Sequence, residues 1–584
     1  MPKARKQRKQ KKQRGLSSFS ESLKTPVFLI SLIFAITFVL VGSLLPDFDV
    51  YMDQAFAWIV TNLGWTFILG GSAFLIITLF LIISPLGEIR LGGDHEEPEY
   101  STGSWFAMLF SAGMGIGLLF WGVSEPINHY AWPPYGEGGT DQAVHMALQY
   151  SFFHWGLHPW AIYAVVAGSL AYFTYRKELP MLLSSTLEPL LGRNNLNGAW
   201  GNAVNIIGVV ATLFGISTSL GLGVMQIGGG METLFGIPNN TTLWLIIIVI
   251  VTTLAIISTT TGIDRGIKWL SQINMGVAGL LLLFVLILGP TLFILNAFTH
   301  STGAYLQNLM SMSFGIDAAG AGAEGWYSAW TIFYWAWWIS WAPFVGSFIA
   351  RVSRGRTIRS FSIGVLLVPT AVSMVWFSVF GGTALYREHF TDASILDIVL
   401  KDEALGFFAM LSQFPFSDLL VVVAMLSLTV FFITSSDSGT YVIGMLTSKG
   451  NMNPPIQLRI TWGVLEGAFA AVLLLSGGLA ALQTAAVVGG FPFMIIMFFM
   501  IFCLIKAMFA ELSGGSLPME RQRIYTALED LRTERKILDD VINENEDEWI
   551  SEGDEGFGDS EDDVEETEEN VEETEENDKE DKEK

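Results

Sequence analysis

Apolar residues run along this chain in long unbroken stretches, many of about 20 residues, the length that crosses roughly 30 Å of hydrocarbon. Twelve stretches can be marked: 26–45, 56–84, 104–124, 148–174, 203–229, 242–261, 273–297, 327–349, 361–385, 407–434, 459–476 and 482–508. They are continuous rather than alternating, so they predict helices and exclude a barrel. The expected fold class is an all-α polytopic membrane protein with about twelve transmembrane helices. Composition agrees. Of 584 residues 51% are hydrophobic and only 15% charged. Mean hydropathy is +0.46. A soluble chain of this length would carry more charge.

Lysine and arginine test the count. With a cytoplasmic N-terminus, every even-numbered connection should be cytoplasmic. Those connections hold Arg90; Arg176, Lys177 and Arg193; Arg265 and Lys268; Arg351, Arg354, Arg356 and Arg359; and Lys449. The odd-numbered ones hold only Arg387 and Lys401. This is the positive-inside pattern, and it puts both termini in the cytoplasm of a multi-pass protein. The basic N-terminus followed by Pro26 to Leu45 has the outline of a signal peptide. Its apolar run is too long for one and lacks a small-residue cleavage site, so it reads as an uncleaved first span.

The net charge of −24 is uneven. Residues 546–584 hold twenty-two acids and three lysines, whereas the first 24 residues hold nine bases and one acid. The acidity therefore belongs to the tail, not to the membrane body. Leu517 to Asn545 has apolar residues at helical spacing and is expected to form a cytoplasmic helix. Beyond it, Val-Glu-Glu-Thr-Glu-Glu-Asn occurs twice, at 564–570 and 571–577. That composition cannot bury a core and is expected to stay disordered. The single cysteine, Cys503, excludes an internal disulfide or a cysteine metal site. It reads as a packed core residue.

Two tryptophan-dense segments lie within spans rather than at their edges: His154-Trp155-Gly156-Leu157-His158-Pro159-Trp160-Ala161-Ile162-Tyr163 and Tyr334-Trp335-Ala336-Trp337-Trp338-Ile339-Ser340-Trp341-Ala342-Pro343. Tryptophan ordinarily favours the bilayer faces. Clustered inside, its rings can converge into a box that holds a quaternary ammonium by cation–π attraction. Trp160 and Tyr163 share a helix face, with Trp155 on roughly the same side and Pro159 expected to bend the helix. Tyr334, Trp338 and Trp341 follow the i, i+4, i+7 pattern, with Trp337 beside them. Aromatic packing between helices is the plainer use of the same rings. His154 and His158 are one turn apart, but no acid or cysteine nearby in sequence completes a metal site.

Gly113-Met114-Gly115-Ile116-Gly117 interrupts the third span, and Pro126 is expected to end it. Three glycines in five residues cost about 1 kcal/mol each against alanine. They serve either close helix packing or an unwound stretch whose free backbone groups face a cavity. At the end of the tenth span, Thr434, Ser435, Ser436 and Ser438 crowd around Asp437. Hydroxyls with freed carbonyls suit a small hard cation; the alternative is bonding back to the helix's own carbonyls. Walker, zinc, hydrolase and dinucleotide motifs are missing from positions where they could work, so an enzyme is not expected.

At these residues the chain resembles the betaine/carnitine/choline transporter family. Gly113–Gly117 and the stretch Phe333–Arg359 carry the resemblance most specifically. It implies a LeuT-type inverted repeat of five plus five spans behind two extra N-terminal spans. The expected layout is a basic cytoplasmic segment 1–25, the extra spans and their loop at 26–103, and a first repeat at 104–297. An external loop with the second repeat follows at 298–510, then a cytoplasmic helix at 511–545 and the tail at 546–584. By motif, Trp155, Trp160, Tyr163 and Trp338 match the substrate box, with Trp337 and Trp341 as its neighbours along the permeation path, and Gly113, Met114, Gly115 and Gly117 are expected to bind substrate as well. A sodium site would use Ser111, Met114, Phe431, Thr434 and Ser435. A second would use Thr212 and Phe344, although Ile216 stands where a hydroxyl is expected. No cofactor is implied beyond sodium as coupling ion.

Gly117 stands where choline carriers tend to have aspartate, so no fixed carboxylate waits for a net cation. Glycine betaine, a zwitterion, suits such a site. The expectation is sodium-driven betaine import for osmoprotection, activated osmotically. Proton-coupled choline uptake and carnitine/betaine exchange are the same-class alternatives, and an osmotically gated channel is the other class. The expected setting is a bacterial cytoplasmic membrane. Expected partners are sodium, the quaternary ammonium solute, anionic lipids and two further copies in a homotrimer, with no nucleic acid.

Overall fold

The computed structural model describes residues 20, 22–113, 115–261, 264–316 and 325–513; at 110–113, 261 and 264–270 the backbone alone is described. The segments expected at 511–545, beyond Ser513, and at 546–584, and nearly all of 1–25, lie outside the described residues. All described helices belong to one unit ending at Ser513.

The helices are α1 (Pro26–Leu44), α2 (Phe48–Ile83), α3 (Thr102–Gly113), α4 (Ile116–Ala131), α5 (Asp141–Trp155), α6 (Leu157–Ala171), α7 (Ala199–Phe235), α8 (Thr241–Thr261), α9 (Asp264–Leu288), α10 (Thr291–Ser313), α11 (Phe333–Val352), α12 (Ile358–Phe390), α13 (Ser417–Thr447), α14 (Ile456–Gly477) and α15 (Leu479–Ser513). Among the described residues nine of these are long and apolar enough to cross a membrane: α1, α2, α7, α8, α9, α12, α13, α14 and α15. Their starts follow local chemistry. Thr25 caps α1 by accepting from the Phe28 N–H at 3.2 Å, with Pro26 in the first turn, where a missing N–H costs nothing.

The remaining three expected spans have another form. The third is split into α3, which ends at Gly113, and α4, which starts at Ile116 after Gly115. The fourth is broken between α5 and α6 at Gly156. The eighth is the tryptophan-rich α11. Three positional expectations are corrected. The bend in the fourth span falls at Gly156, not Pro159, which takes the third position of α6. Its missing N–H leaves the Trp155 carbonyl without a helical partner and favours a break just before it. Pro126 does not end α4, which runs on to Ala131. The apolar run 273–297 stops as a helix at Leu288, and α10 starts after Gly289-Pro290.

Packing sorts the helices by composition. Every residue of α6 is buried, as is α4 from Ile116 to Tyr130. α11 packs closely on α6, α7 and α15; α12 packs on α4, α5 and α6. By contrast α8 and α9 expose Val249, Ile250, Leu280 and Ile287 to the outside. That much exposed aliphatic surface is stable against lipid tails, not water. Cys503 is buried, as expected.

The connections rich in arginine join at one place. Residues 89–91 and 355–358 pair as extended backbone, with Leu91 N donating to Arg356 O at 2.8 Å and Ile358 N to Ile89 O at 2.9 Å. Arg359 bridges to Glu88 at 2.5 Å, Arg354 pairs with Glu96, and Arg356 stacks 4.0 Å from the Trp105 ring centre. Arg176 and Lys177, after α6, bridge to Glu511 on α15 at 2.7 and 2.8 Å.

Candidate functional site

The aromatic site forms where the two broken spans meet α11. Because α5 stops at Trp155, the His154 carbonyl has no intrahelical donor, and the Trp338 indole N–H fills it at 3.0 Å. The Leu157 N–H, orphaned at the start of α6, is capped by the Tyr305 hydroxyl at 3.2 Å. Glycine is needed at 156 because a Cβ would lie 2.3 Å from Phe152 O and 3.0 Å from the Tyr305 hydroxyl.

These contacts bring the expected rings together. Trp155 meets Trp338 edge-on with centroids 4.8 Å apart, and Trp337 at 6.1 Å. Trp337 and Trp338 stack at 4.9 Å. Tyr163 reaches Trp338 at 6.1 Å, and Trp160 reaches Tyr163 at 5.5 Å. Trp341 continues the row from Trp337 at 6.1 Å and leads to Phe344 at 5.7 Å. All are buried. Two polar atoms within this cluster, the Tyr163 hydroxyl and Trp337 Nε1, are buried with no hydrogen-bond partner among the described residues. They are donors free for a ligand oxygen or water.

Gly117 stands against the same rings. A Cβ there would lie 2.8 Å from Trp155 Cη2 and 2.9 Å from Trp337 Cη2. Gly115, at the break, faces Phe431, whose ring carbons Cδ1 and Cγ lie 3.5 and 3.7 Å from its missing Cβ. Met114 lies outside the described residues; Gly113 and Ser111 are described by backbone alone.

Sequence reasoning missed several residues of this region. Phe377 on α12 packs 5.4 Å from Trp155. Glu125, on α4, is fully buried and accepts from Trp155 Nε1 at 2.7 Å and from the Tyr334 hydroxyl at 2.5 Å. Its other oxygen meets His154 Nδ1 at 2.8 Å and His129 Nε2 at 3.3 Å. Glu125, His129 and His154 are the one trio among the described residues able to converge on a metal ion. Here both histidines bond to Glu125. His158 turns away to Ser313 at 3.1 Å and stacks on Trp335, so the two histidines of the motif share no site. A signal for Glu125 existed, a carboxylate inside an apolar run, but nothing local tied it to tryptophans 30 residues on.

On α13 the helix runs unbroken through the hydroxyl cluster. Thr434 Oγ1 bonds back to the Val430 and Phe431 carbonyls at 3.0 and 3.2 Å, the local alternative foreseen for such residues. Ser435 follows, half-buried. Asp437 pairs with Arg459 at 2.9 Å and with Thr259. Thr212 and Phe344 flank the α7–α11 interface, where Trp341 Nε1 donates to Gly215 O at 2.8 Å. Thr212 bonds to Gly208 O at 2.7 Å. Ile216 fills the space above Gly439, whose missing Cβ would lie 2.2 Å from Ile216 Cδ1. A cavity of about 370 Å³ begins at Phe344 and is lined by Arg351, Asp437, Tyr441 and Arg459, among others. The row of rings thus reaches, at Phe344, a cavity that Arg351 also lines.

The sequence profile of the betaine/carnitine/choline family of transporters matches residues 26–513. Glycine betaine transporter OpuD of Bacillus subtilis is 49% identical over 487 residues, covering 83% of this chain and 94% of that one. A glycine betaine transporter of Acinetobacter baylyi is 42% identical over 494 residues, covering 84% and 74%. An ectoine/hydroxyectoine transporter of Virgibacillus pantothenticus is 39% identical over 482 residues, covering 82% and 95%. The chain belongs to the betaine/carnitine/choline family of membrane transporters, and it is a carrier of solutes rather than an enzyme.

Proposed function

We propose that this protein imports glycine betaine by sodium symport, through alternating access around the tryptophan box, as an osmoprotectant response. The observation that carries the reading is the closed cluster of Trp155, Tyr163, Trp337 and Trp338. Its faces suit a trimethylammonium group, which offers no N–H and is held by cation–π attraction. The unpartnered Tyr163 hydroxyl and Trp337 N–H suit the carboxylate at the other end of betaine. Two relatives are named for glycine betaine. The ectoine-named relative supports a wider range that includes cyclic zwitterions.

For the coupling ion, Phe431 of α13 lies beside Gly115 at the α3–α4 break, and Thr434 follows on the same helix. Sodium held there, with Ser435, Ser111 and Met114, would lock the break to α13 while solute occupies the box. Sodium at Thr212 and Phe344 would be weaker, because Ile216 offers no oxygen. The membrane arrangement we propose has twelve spans, a five-plus-five inverted repeat and both termini cytoplasmic. A homotrimer and contact of the basic N-terminus with anionic lipid complete it.

The test is labelled betaine uptake in cells lacking their own osmolyte carriers, with sodium or potassium outside at equal osmolality. Saturable uptake that requires sodium is expected. Uptake indifferent to sodium would leave the box and remove the sodium site, bringing forward proton coupling or exchange.

A further inference from the structure

We propose that Glu125 is a positioning residue that tunes the ammonium site, fixing Trp155 and Tyr334 from behind and lending its negative charge to their rings. The inference rests on the betaine reading of the box.

Glu125 is fully buried on α4, and both of its oxygens are engaged from other elements. Oε2 takes the Trp155 N–H at 2.7 Å and the Tyr334 hydroxyl at 2.5 Å. Oε1 meets His154 at 2.8 Å and His129 at 3.3 Å, and His154 Nε2 is held in turn by Thr331 at 3.0 Å. An indole N–H can only donate, so Oε2 must accept from Trp155 and takes the Tyr334 hydroxyl as well; at Oε1 the direction of each histidine contact follows the tautomer, and an ionised carboxylate would accept from both. Charge-assisted bonds of this kind are the strong ones.

The carboxylate stands outside the box, with rings between it and the ligand space. Trp155 and Tyr334 meet at 5.7 Å, and Tyr334 stacks on Trp338 at 6.0 Å. An acceptor on the indole N–H has two consequences. It fixes the ring plane that faces Trp338. It also pushes electron density into the ring, deepening the negative face that attracts a cation. In a dry interior that charge is poorly screened. Box selectivity for charge, rather than for shape, should therefore depend on Glu125.

The experiment uses the full chain in proteoliposomes. Labelled glycine betaine uptake is competed by 3,3-dimethylbutanoate, which replaces trimethylammonium with a neutral tert-butyl group of the same shape. Wild type is expected to prefer betaine by about threefold or more. Glu125→Gln keeps a carbonyl acceptor for Trp155 but removes the charge. Its KM for betaine should rise severalfold while inhibition by the tert-butyl analogue holds, so the preference shrinks at near-constant maximal rate. If both constants worsen together, or neither changes, Glu125 is only a packing residue and the proposal falls. If Glu125→Gln does not insert, Glu125→Asp keeps the charge one methylene further away and should show a smaller drop in preference; an unchanged preference overturns the proposal. A wild type with no preference for betaine over the analogue would instead sink the betaine reading of the box.

Discussion

Trp338 donates its indole N–H to the His154 carbonyl at 3.0 Å, an acceptor that exists only because α5 breaks at Gly156. The ring that faces the ligand is thereby fixed by the break beside it. Trp338→Phe keeps an aromatic face and loses the bond; a severalfold rise in KM for betaine is expected. Trp338→Leu loses the face as well, and about tenfold or more is expected from a desolvated cation–π contact worth ~2 kcal/mol. Equal effects of the two variants on uptake kinetics would show that the N–H alone matters.

Gly156→Ala should be far more damaging than an alanine in an exposed loop. Its Cβ would sit 2.3 Å from Phe152 O, which is backbone and cannot swing aside. Thermal unfolding in detergent should show a clear fall in Tm, with uptake lost. Tyr305→Phe removes only the hydroxyl cap on Leu157, and about 1 kcal/mol is expected.

Gly117 lies where any side chain must enter the box. Gly117→Asp should shift preference from betaine toward choline, because its carboxylate would neutralise the cation. The rings of Trp155 and Trp337 must move to admit it, so total uptake should fall too. Gly117→Ala separates the effects: reduced uptake without a shift toward choline. Competition of labelled choline against betaine reads both, and no relative gain for choline with Gly117→Asp would remove the charge argument.

Among the described residues Thr434 bonds to carbonyls of its own helix, so Thr434→Ala should cost little stability, roughly 0.5 kcal/mol. Its effect should fall on the sodium concentration needed for half-maximal uptake, raised tenfold or more, with Thr434→Ser nearly normal. Unchanged sodium dependence at equal expression would remove Thr434 from the ion site.

Glu96 offers a pH test outside the spans. The Gly93 backbone N–H, and less strongly Arg354, hold its carboxyl below the usual 4.5, against a partial opposing effect of burial. A lowered acid stabilises the fold above its unfolded value and loses that contribution as pH falls through the folded value. Glu96→Gln should therefore lower Tm slightly at pH 7, by the equivalent of less than about 1 kcal/mol for so exposed a pair. The gap to wild type should close below about pH 4.

Much of this was legible in the chain. The six site aromatics sit in apolar runs at helical spacing, and the structure joins them into one row of rings. Run length alone found the long helices. What was illegible depends on contacts between distant segments. Glu125 acquires its role from Trp155, Tyr334, His154 and His129, which only packing brings together. Pro159 signalled a break, but its position was set by the carbonyl it leaves unpaired and by the room at Gly156. Pro126 sits within a helix because Gly381 lets α12 close against it, its Cγ only 2.6 Å from where a Cβ would stand. The hydroxyl cluster read either as cation ligands with freed carbonyls or as hydroxyls bonding back to their own helix; α13 stays whole and Thr434 bonds back to Val430 and Phe431.

The central claim is that the rings of Trp155 and Trp338 hold a quaternary ammonium. The most direct measurement is equilibrium binding of labelled glycine betaine to the purified protein in sodium, for wild type and Trp338→Leu. The account predicts saturable binding displaced by unlabelled betaine and weakened about tenfold or more in the variant. Binding of equal strength in the variant, with fold and expression intact, would contradict it.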